Sequence, residues 1–407
     1  MSCGQPEDKA AEPVSHSIAN SESKSDSKFT TTSEPKHIQI EVTSNDITAD
    51  ANGNDNGNSN ASANANANAN ANANADSASE SEAEADDEPK AGNEPEAKAK
   101  PDDDSANDDI DDLLADYADD ETSIELMHSR LDSLDGLGLE RFHALEFLGC
   151  RQNLIKNMRP VSVLQSLKEL DLYDNRLKRI EGLDRLTQLT YLDLSFNNIR
   201  RIENIDMLDQ LQELFFVTNK IQVIENLGAL TMLTNLELGA NRIRAIEGLD
   251  QLVNLEQLYL GKNKITRLQN LGTLRRLRIL SIQSNRITKI EGLEELECLE
   301  ELYLSHNGVE RIEGLENNTR LQILDVTSNK LTEISGIRHL PVLEDLWVSG
   351  NQLASFENIE SECAPVASLR TVYFEFNPLQ RAQPANYRRK VMMTLPQLTQ
   401  IDALPCR

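Results

Sequence analysis

Leu167 to Gln188 reads LKELDLYDNRLKRIEGLDRLTQ, and its spacing decides the fold. Apolar side chains fall at Leu167, Leu170, Leu172, Leu177, Ile180, Leu183 and Leu186, with Asn175 at the ninth position. The same 22-residue pattern starts at Leu145 and again at Leu189, Leu211, Leu233, Leu255, Leu277, Leu299, Leu321 and Leu343, with no insertion between Leu145 and Val342. A last unit starts at Leu369 after one of 26 residues, and a degenerate 24-residue unit with Ile124, Leu126, Leu131, Leu134 and Leu137 precedes the first. Self-similarity at a fixed period of this length means a stack of units, none of which can bury its apolar face alone.

The spacing L-x-x-L-x-L-x-x-N-x-L-x-x-I-x-x-L-x-x-L is that of a leucine-rich repeat. The expected fold class is α/β: a leucine-rich-repeat solenoid in a right-handed arc, with a parallel sheet on the concave face and short 3-10 or irregular segments on the convex one. Each L-x-L forms a short strand with both leucines inward. The returning half is too short for a full helix. About twelve units fill residues 121–376, and residues 377–407 form a C-terminal cap that includes a short helix near Tyr387. The ninth position is asparagine from Asn153 to Asn377 in eleven consecutive units, too often for a catalytic group. The chain turns inward there, and a short amide can satisfy buried backbone donors and acceptors on both sides.

Residues 1–120 differ in kind. They carry 29 Asp and Glu against 7 Lys, a net of -22, which leaves -28 + 22 = -6 for residues 121–407. With an Ala-Asn tract from Ala61 to Asn74 and few large apolar side chains, this segment cannot offset the entropy of ordering its backbone, and an acidic disordered tail is expected. Nothing near Met1 reads as a signal peptide, and no run approaches the eighteen or so apolar residues of a membrane span. Five scattered cysteines with no CxxC pair argue against a disulfide framework or a zinc site, and favour a reducing compartment.

No motif for chemistry survives inspection. The six histidines are never paired at metal spacing, and Gly136-Leu-Gly138 lacks the third glycine of a dinucleotide loop, so no cofactor and no enzyme activity are expected. The body has no basic excess, which disfavours nucleic acid and leaves a positively charged protein surface as the complement. The informative residues are those beside the inward leucines. The fifth position runs Gly149, Asp171, Asp193, Phe215, Glu237, Tyr259, Ser281, Tyr303, Asp325, Trp347, Tyr373, acids alternating with aromatics on the expected water-facing side. Asp345 belongs to the third-position column, beside it. Rigid aromatics flanked by charge are what protein-interface hot spots are made of. Tyr191 and Phe196 fit cross-strand packing equally well.

Several phrases narrow the comparison further. Arg151-Gln-Asn-Leu-Ile-Lys156, Leu260-Gly-Lys-Asn-Lys-Ile-Thr266, Leu302-Tyr-Leu-Ser-His-Asn-Gly308 and Ile312-Glu-Gly-Leu-Glu-Asn-Asn318, together with the cap phrases Asn377-Pro-Leu-Gln380 and Tyr387-Arg-Arg-Lys-Val-Met392, resemble the leucine-rich-repeat regulatory subunits of protein phosphatase 1, the regulatory subunit 7 family, over residues 121–407. The resemblance implies a non-catalytic subunit that grips the phosphatase catalytic subunit with its concave face, controls its activity, maturation or targeting, and works with a third, inhibitory protein. Family contact positions carry over onto Asp193, Phe215, Glu237, Asp325, Trp347 and Tyr373, with Tyr259 and Asp345 matching in side-chain character. A nuclear and cytoplasmic location, a monomer before binding, and neither membrane nor nucleic-acid partner are expected. Related short-repeat proteins raise one alternative, a general adaptor for cytoskeletal or ribonucleoprotein assembly. Arg370-Thr-Val-Tyr-Phe374 fits the short docking motif of phosphatase regulators, but Val372 and Phe374 fall at inward positions and should be inaccessible.

Overall fold

The computed structural model describes residues 113–406. The expectation of a disordered segment falls, up to residue 112, outside the described residues. Its last eight residues do not: 113–120 form turns, and Leu114, only 3% exposed, joins the core of the first unit. Arg141 holds them there, donating to the carbonyl oxygens of Leu114 and Tyr117 and to the Asp119 carboxylate.

The described residues form one sheet of fourteen short strands, hydrogen-bonded in chain order. These are β1 (Ser123–Glu125), β2 (Phe147–Gly149), β3 (Glu169–Asp171), β4 (Tyr191–Asp193), β5 (Glu213–Phe215), β6 (Asn235–Glu237), β7 (Gln257–Tyr259), β8 (Ile279–Ser281), β9 (Glu301–Tyr303), β10 (Ile323–Asp325), β11 (Asp345–Trp347), β12 (Thr371–Tyr373), β13 (Gln400–Ile401) and β14 (Leu404–Pro405). All neighbours pair in parallel except β13 and β14, which close the end antiparallel. Each strand is three residues or fewer because only the L-x-L segment is extended. The central leucine and the one after the strand, such as Leu170 and Leu172, have no exposed surface.

The asparagine ladder is built as expected. Asn241 accepts at Oδ1 from the Ile221 N–H of the preceding unit (3.0 Å), and its Nδ2 donates to Phe216 O (2.8 Å) and Leu238 O (3.1 Å). Each amide thus ties its own turn to the unit before it. The returning halves are turns with two short 3-10 helices, Leu139–Arg141 and Arg159–Val163. At Gly248 the backbone adopts φ +69°, and a Cβ would stand 2.5 Å from the Ile224 carbonyl oxygen, so the close stacking of returning halves requires glycine there.

One unit departs from this pattern. The four extra residues of the unit that starts at Leu343 go into a helix, α1 (Phe356–Cys363), capped by Ser355, whose Oγ accepts from the Asn358 N–H. The C-terminal cap contains α2 (Pro378–Ala382) and α3 (Pro384–Thr394). Tyr387 and Val391 of α3 are buried with Leu395, Leu398 and Ile401, and the Tyr387 hydroxyl donates to the Asp402 carboxylate (3.0 Å). Cys150, Cys363 and Cys406 are free thiols. Among the described residues, no helix is long and apolar enough to cross a membrane.

Candidate protein-binding surface

Strand register brings the fifth-position residues into one row. Asp193 pairs with Phe215, Phe215 with Glu237 and Glu237 with Tyr259; Ser281 and Tyr303 follow, then Asp325, Trp347 and Tyr373. Asp345 lies one row away, at the start of β11, paired with Ile323 and Thr371. Parallel neighbours are about 4.8 Å apart, so each side chain touches the next along the stack.

That spacing also corrects the expectation of a uniformly water-facing stripe. Asp193 and Asp325 are only 5% and 7% exposed, and Phe215, Glu237, Tyr259, Trp347 and Tyr373 are half-buried. Short carboxylates sink between bulkier neighbours. The Tyr303 and Trp347 rings flank Asp325 with centroids 6.1 Å apart, and the Trp347 and Tyr373 rings meet edge-on at 5.8 Å. Tyr191 packs on Phe215 at 5.3 Å and Tyr173 on Phe196 at 4.8 Å, so Tyr191 and Phe196 take the packing role, one of the two left open for them. The result is a preorganised surface whose rings lose little entropy on binding.

Burial raises the affinity of these acids for protons. The Asp193 carboxyl is pushed up to about 6, by desolvation first and the neighbouring Asp171 charge second. Burial, with the charge of Asp193, lifts Glu237 to about 7. Asp325 also rises through burial, restrained by hydrogen bonds that include the Thr327 N–H at 2.9 Å. Tyr259 donates its hydroxyl to Gln257 (3.0 Å) and Tyr303 donates to Glu301 (2.7 Å); burial first, and neighbouring carboxylates second, strengthen the hold of both phenols on their protons.

Arg151 completes the acidic end and was not among the expected site residues. Its guanidinium bonds Asp171, reaches Asp193 at 3.4 Å and lies 5.0 Å from the centre of the Tyr173 ring. Nothing local signals this, because the partners are 20 and 42 positions away along the chain. At the other end, the Trp347 indole N–H is shielded from solvent and has no acceptor among the described residues. Such an orphaned donor is costly unless another molecule supplies the acceptor. Val372 and Phe374 of the docking-like phrase have no exposed surface, so the phrase is unavailable while the cap is folded. Among the described residues, no group of three or more His, Cys, Asp or Glu side chains is arranged to hold a metal ion.

A family model described as leucine-rich repeats in two copies matches residues 165–210, 231–274, 253–295, 275–317 and 297–339. The chain is a leucine-rich-repeat solenoid. Its repeats are 53% identical over 70 residues to the protein phosphatase 1 regulatory subunit SDS22 of Schizosaccharomyces pombe, covering 17% of this chain and 20% of that protein. They are 46% identical over 70 residues to SDS22 of Saccharomyces cerevisiae, covering 17% and 21%. In these matches the chain spans about a fifth of the length of the curated relatives. An internalin from Listeria monocytogenes shares the fold at a TM-score of 0.58 with 23% identity, over 73% of this chain and 94% of that one. The resemblance drawn from the repeat phrases thus meets the same regulatory subunits by direct comparison.

Proposed function

We propose that this chain is a non-catalytic regulatory subunit that binds the catalytic subunit of protein phosphatase 1 through the outer face of its sheet, the hollow of the expected arc, and thereby controls the activity, maturation or targeting of that enzyme. The observation that carries the reading is the continuous row from Asp193 to Tyr373, in which buried acids and half-buried rings share one register. Its likeness to the named phosphatase regulators supports the choice of partner. Asp193, Phe215, Glu237, Tyr259, Asp325, Asp345, Trp347 and Tyr373 are the proposed contacts: the rings supply buried apolar area, and the carboxylates receive basic side chains. A third, inhibitory protein on the assembled pair, a monomeric free chain, and a nuclear and cytoplasmic location belong to the same proposal.

The test is a quantitative mass-spectrometric inventory of proteins that co-purify with the intact chain. Phosphatase catalytic subunit in near-stoichiometric amount is expected. Tubulin or ribonucleoprotein components in its place would favour the assembly-adaptor reading.

A further inference from the structure

The tenth position of each unit, just after the ladder asparagine, forms a second row along one lateral edge of the repeat stack. Lys220, Arg242, Lys264 and Arg286 occupy it in four consecutive units, and each donates its backbone N–H to the preceding unit (Ile199, Ile221, Ile243 and Ile265, all at 2.8 Å). Their backbones are therefore held about 5 Å apart, with like charges stacked. Arg200 and Arg244, two positions further along their units, are exposed beside the row. Positions eight to twelve of these units contain no acid; Asp174 and Glu310 bound the stretch at its two ends.

The contrast with the outer turns is informative. There several cations have partners: Arg201 with Glu225 (3.1 Å), Arg267 with Glu291 (3.0 Å) and Lys289 with Glu313 (3.7 Å). None of the six edge cations pairs with a carboxylate of the described residues; Lys220 finds only the Asn198 amide oxygen, at 2.6 Å. Among the described residues this edge is thus left without carboxylate partners, a self-repelling row that a bound anion would relieve.

We infer that this edge binds an extended acidic segment of a partner polypeptide. An extended strand presents same-side carboxylates about every 6.7 Å, a spacing that long Lys and Arg side chains on a 5 Å stack can follow. Single-stranded nucleic acid is the poorer fit. The intervening Thr218, Gln222, Ala240 and Thr266 offer no ring for a base to stack on, and the row's N–H groups, common phosphate donors elsewhere, are already given to isoleucine carbonyl oxygens of the preceding units. The edge is separate from the sheet face proposed for the phosphatase, so the two surfaces can fail independently.

The experiment is fluorescence anisotropy of a labelled Glu/Ser peptide of about twelve residues, long enough to span four units, titrated with the full chain. Binding is expected at about 0.05 M salt and should vanish near about 0.5 M as the exposed charges are screened. The variant Lys220→Gln/Arg242→Gln/Lys264→Gln/Arg286→Gln should bind roughly tenfold or more weakly. It should melt no lower than the parent at low salt, because stacked repulsion is removed. The control Arg201→Gln/Arg267→Gln should bind the peptide as the parent does. Absence of binding, an equal loss in the control, or tighter binding of a single-stranded DNA of equal charge would overturn the inference. Shielding of Lys220 and Lys264 from acylation in the absence of peptide would assign the edge to the acidic residues 1–112 of this chain and overturn it likewise.

Discussion

The rings of Tyr303 and Trp347 approach to 6.1 Å although they belong to β9 and β11, two strands apart, and they meet over the intervening Asp325. Two strands are separated by about 9.6 Å at the backbone, so the rings lean together and close the space above the acid. An acidic residue in the middle of the row is thereby kept dry, poised and unpaired by any cation of the described residues. Tyr303→Ala should reopen that space. The Asp325 carboxyl, held above its ordinary value chiefly by desolvation, is expected to titrate at lower pH in the variant, followed by carbon NMR of the side chain. An unchanged titration would mean that the rings do not set its environment.

The acids of the row carry a pH dependence of defined sign. Glu237 is raised from 4.5 to about 7 and Asp193 from 3.8 to about 6 in the folded chain. Between the unfolded and folded values the native state binds more protons than the unfolded state, so stability falls as pH rises through that window. Their contribution is complete below pH 4 or so and gone above about 7. Glu237→Gln should flatten the decline between about pH 5 and pH 8, read from urea midpoints, while a substitution at the exposed Glu247 should not.

Loss of one ladder amide should be felt across the array. Asn241→Ala leaves the Ile221 N–H without its acceptor in the core and takes one of two amide donors from each of the Phe216 and Leu238 carbonyls, a cost of about 1–3 kcal/mol. Because stability in a stack is carried by nearest-neighbour interfaces, the same change at Asn377, beside the terminal cap, should be less disruptive to the central units. Denaturant unfolding of the two variants, with hydrogen exchange to locate the loss, distinguishes the cases.

Gly248 tests the stacking of the returning halves. Gly248→Ala would place a methyl 2.5 Å from the Ile224 carbonyl oxygen at a left-handed φ, and should cost about 1–3 kcal/mol. Gly228, where the nearest neighbour of an added Cβ is Gln251 at 3.8 Å, should accept alanine with little change. Thermal melts of the pair provide the comparison.

What the sequence makes legible is whatever recurs every 22 residues. The inward leucines, the ladder from Asn153 to Asn377 and the row from Asp193 to Tyr373 all follow from period and register. What escapes it depends on side-chain reach between units. The partial burial of Asp193 and Asp325 comes from neighbours 22 residues away, and the bridge from Arg151 to Asp171 and Asp193 crosses two units. Leu114 is one of a few apolar residues in an acidic run, and nothing marks it as core until Arg141 is seen to bind the turn that carries it. The basic row of Lys220, Arg242, Lys264 and Arg286 is hidden by summation, because a net charge adds it to the acids of the outer turns.

The most direct test of the account replaces two rings of the row, Phe215 and Trp347, by alanine in one chain and titrates it calorimetrically with the phosphatase catalytic subunit. Truncation of two central aromatic anchors should weaken binding by roughly a hundredfold or more, with the far-ultraviolet circular dichroism of the stack retained. A folded double variant that binds with the affinity of the parent would contradict the assignment of the sheet face as the docking surface.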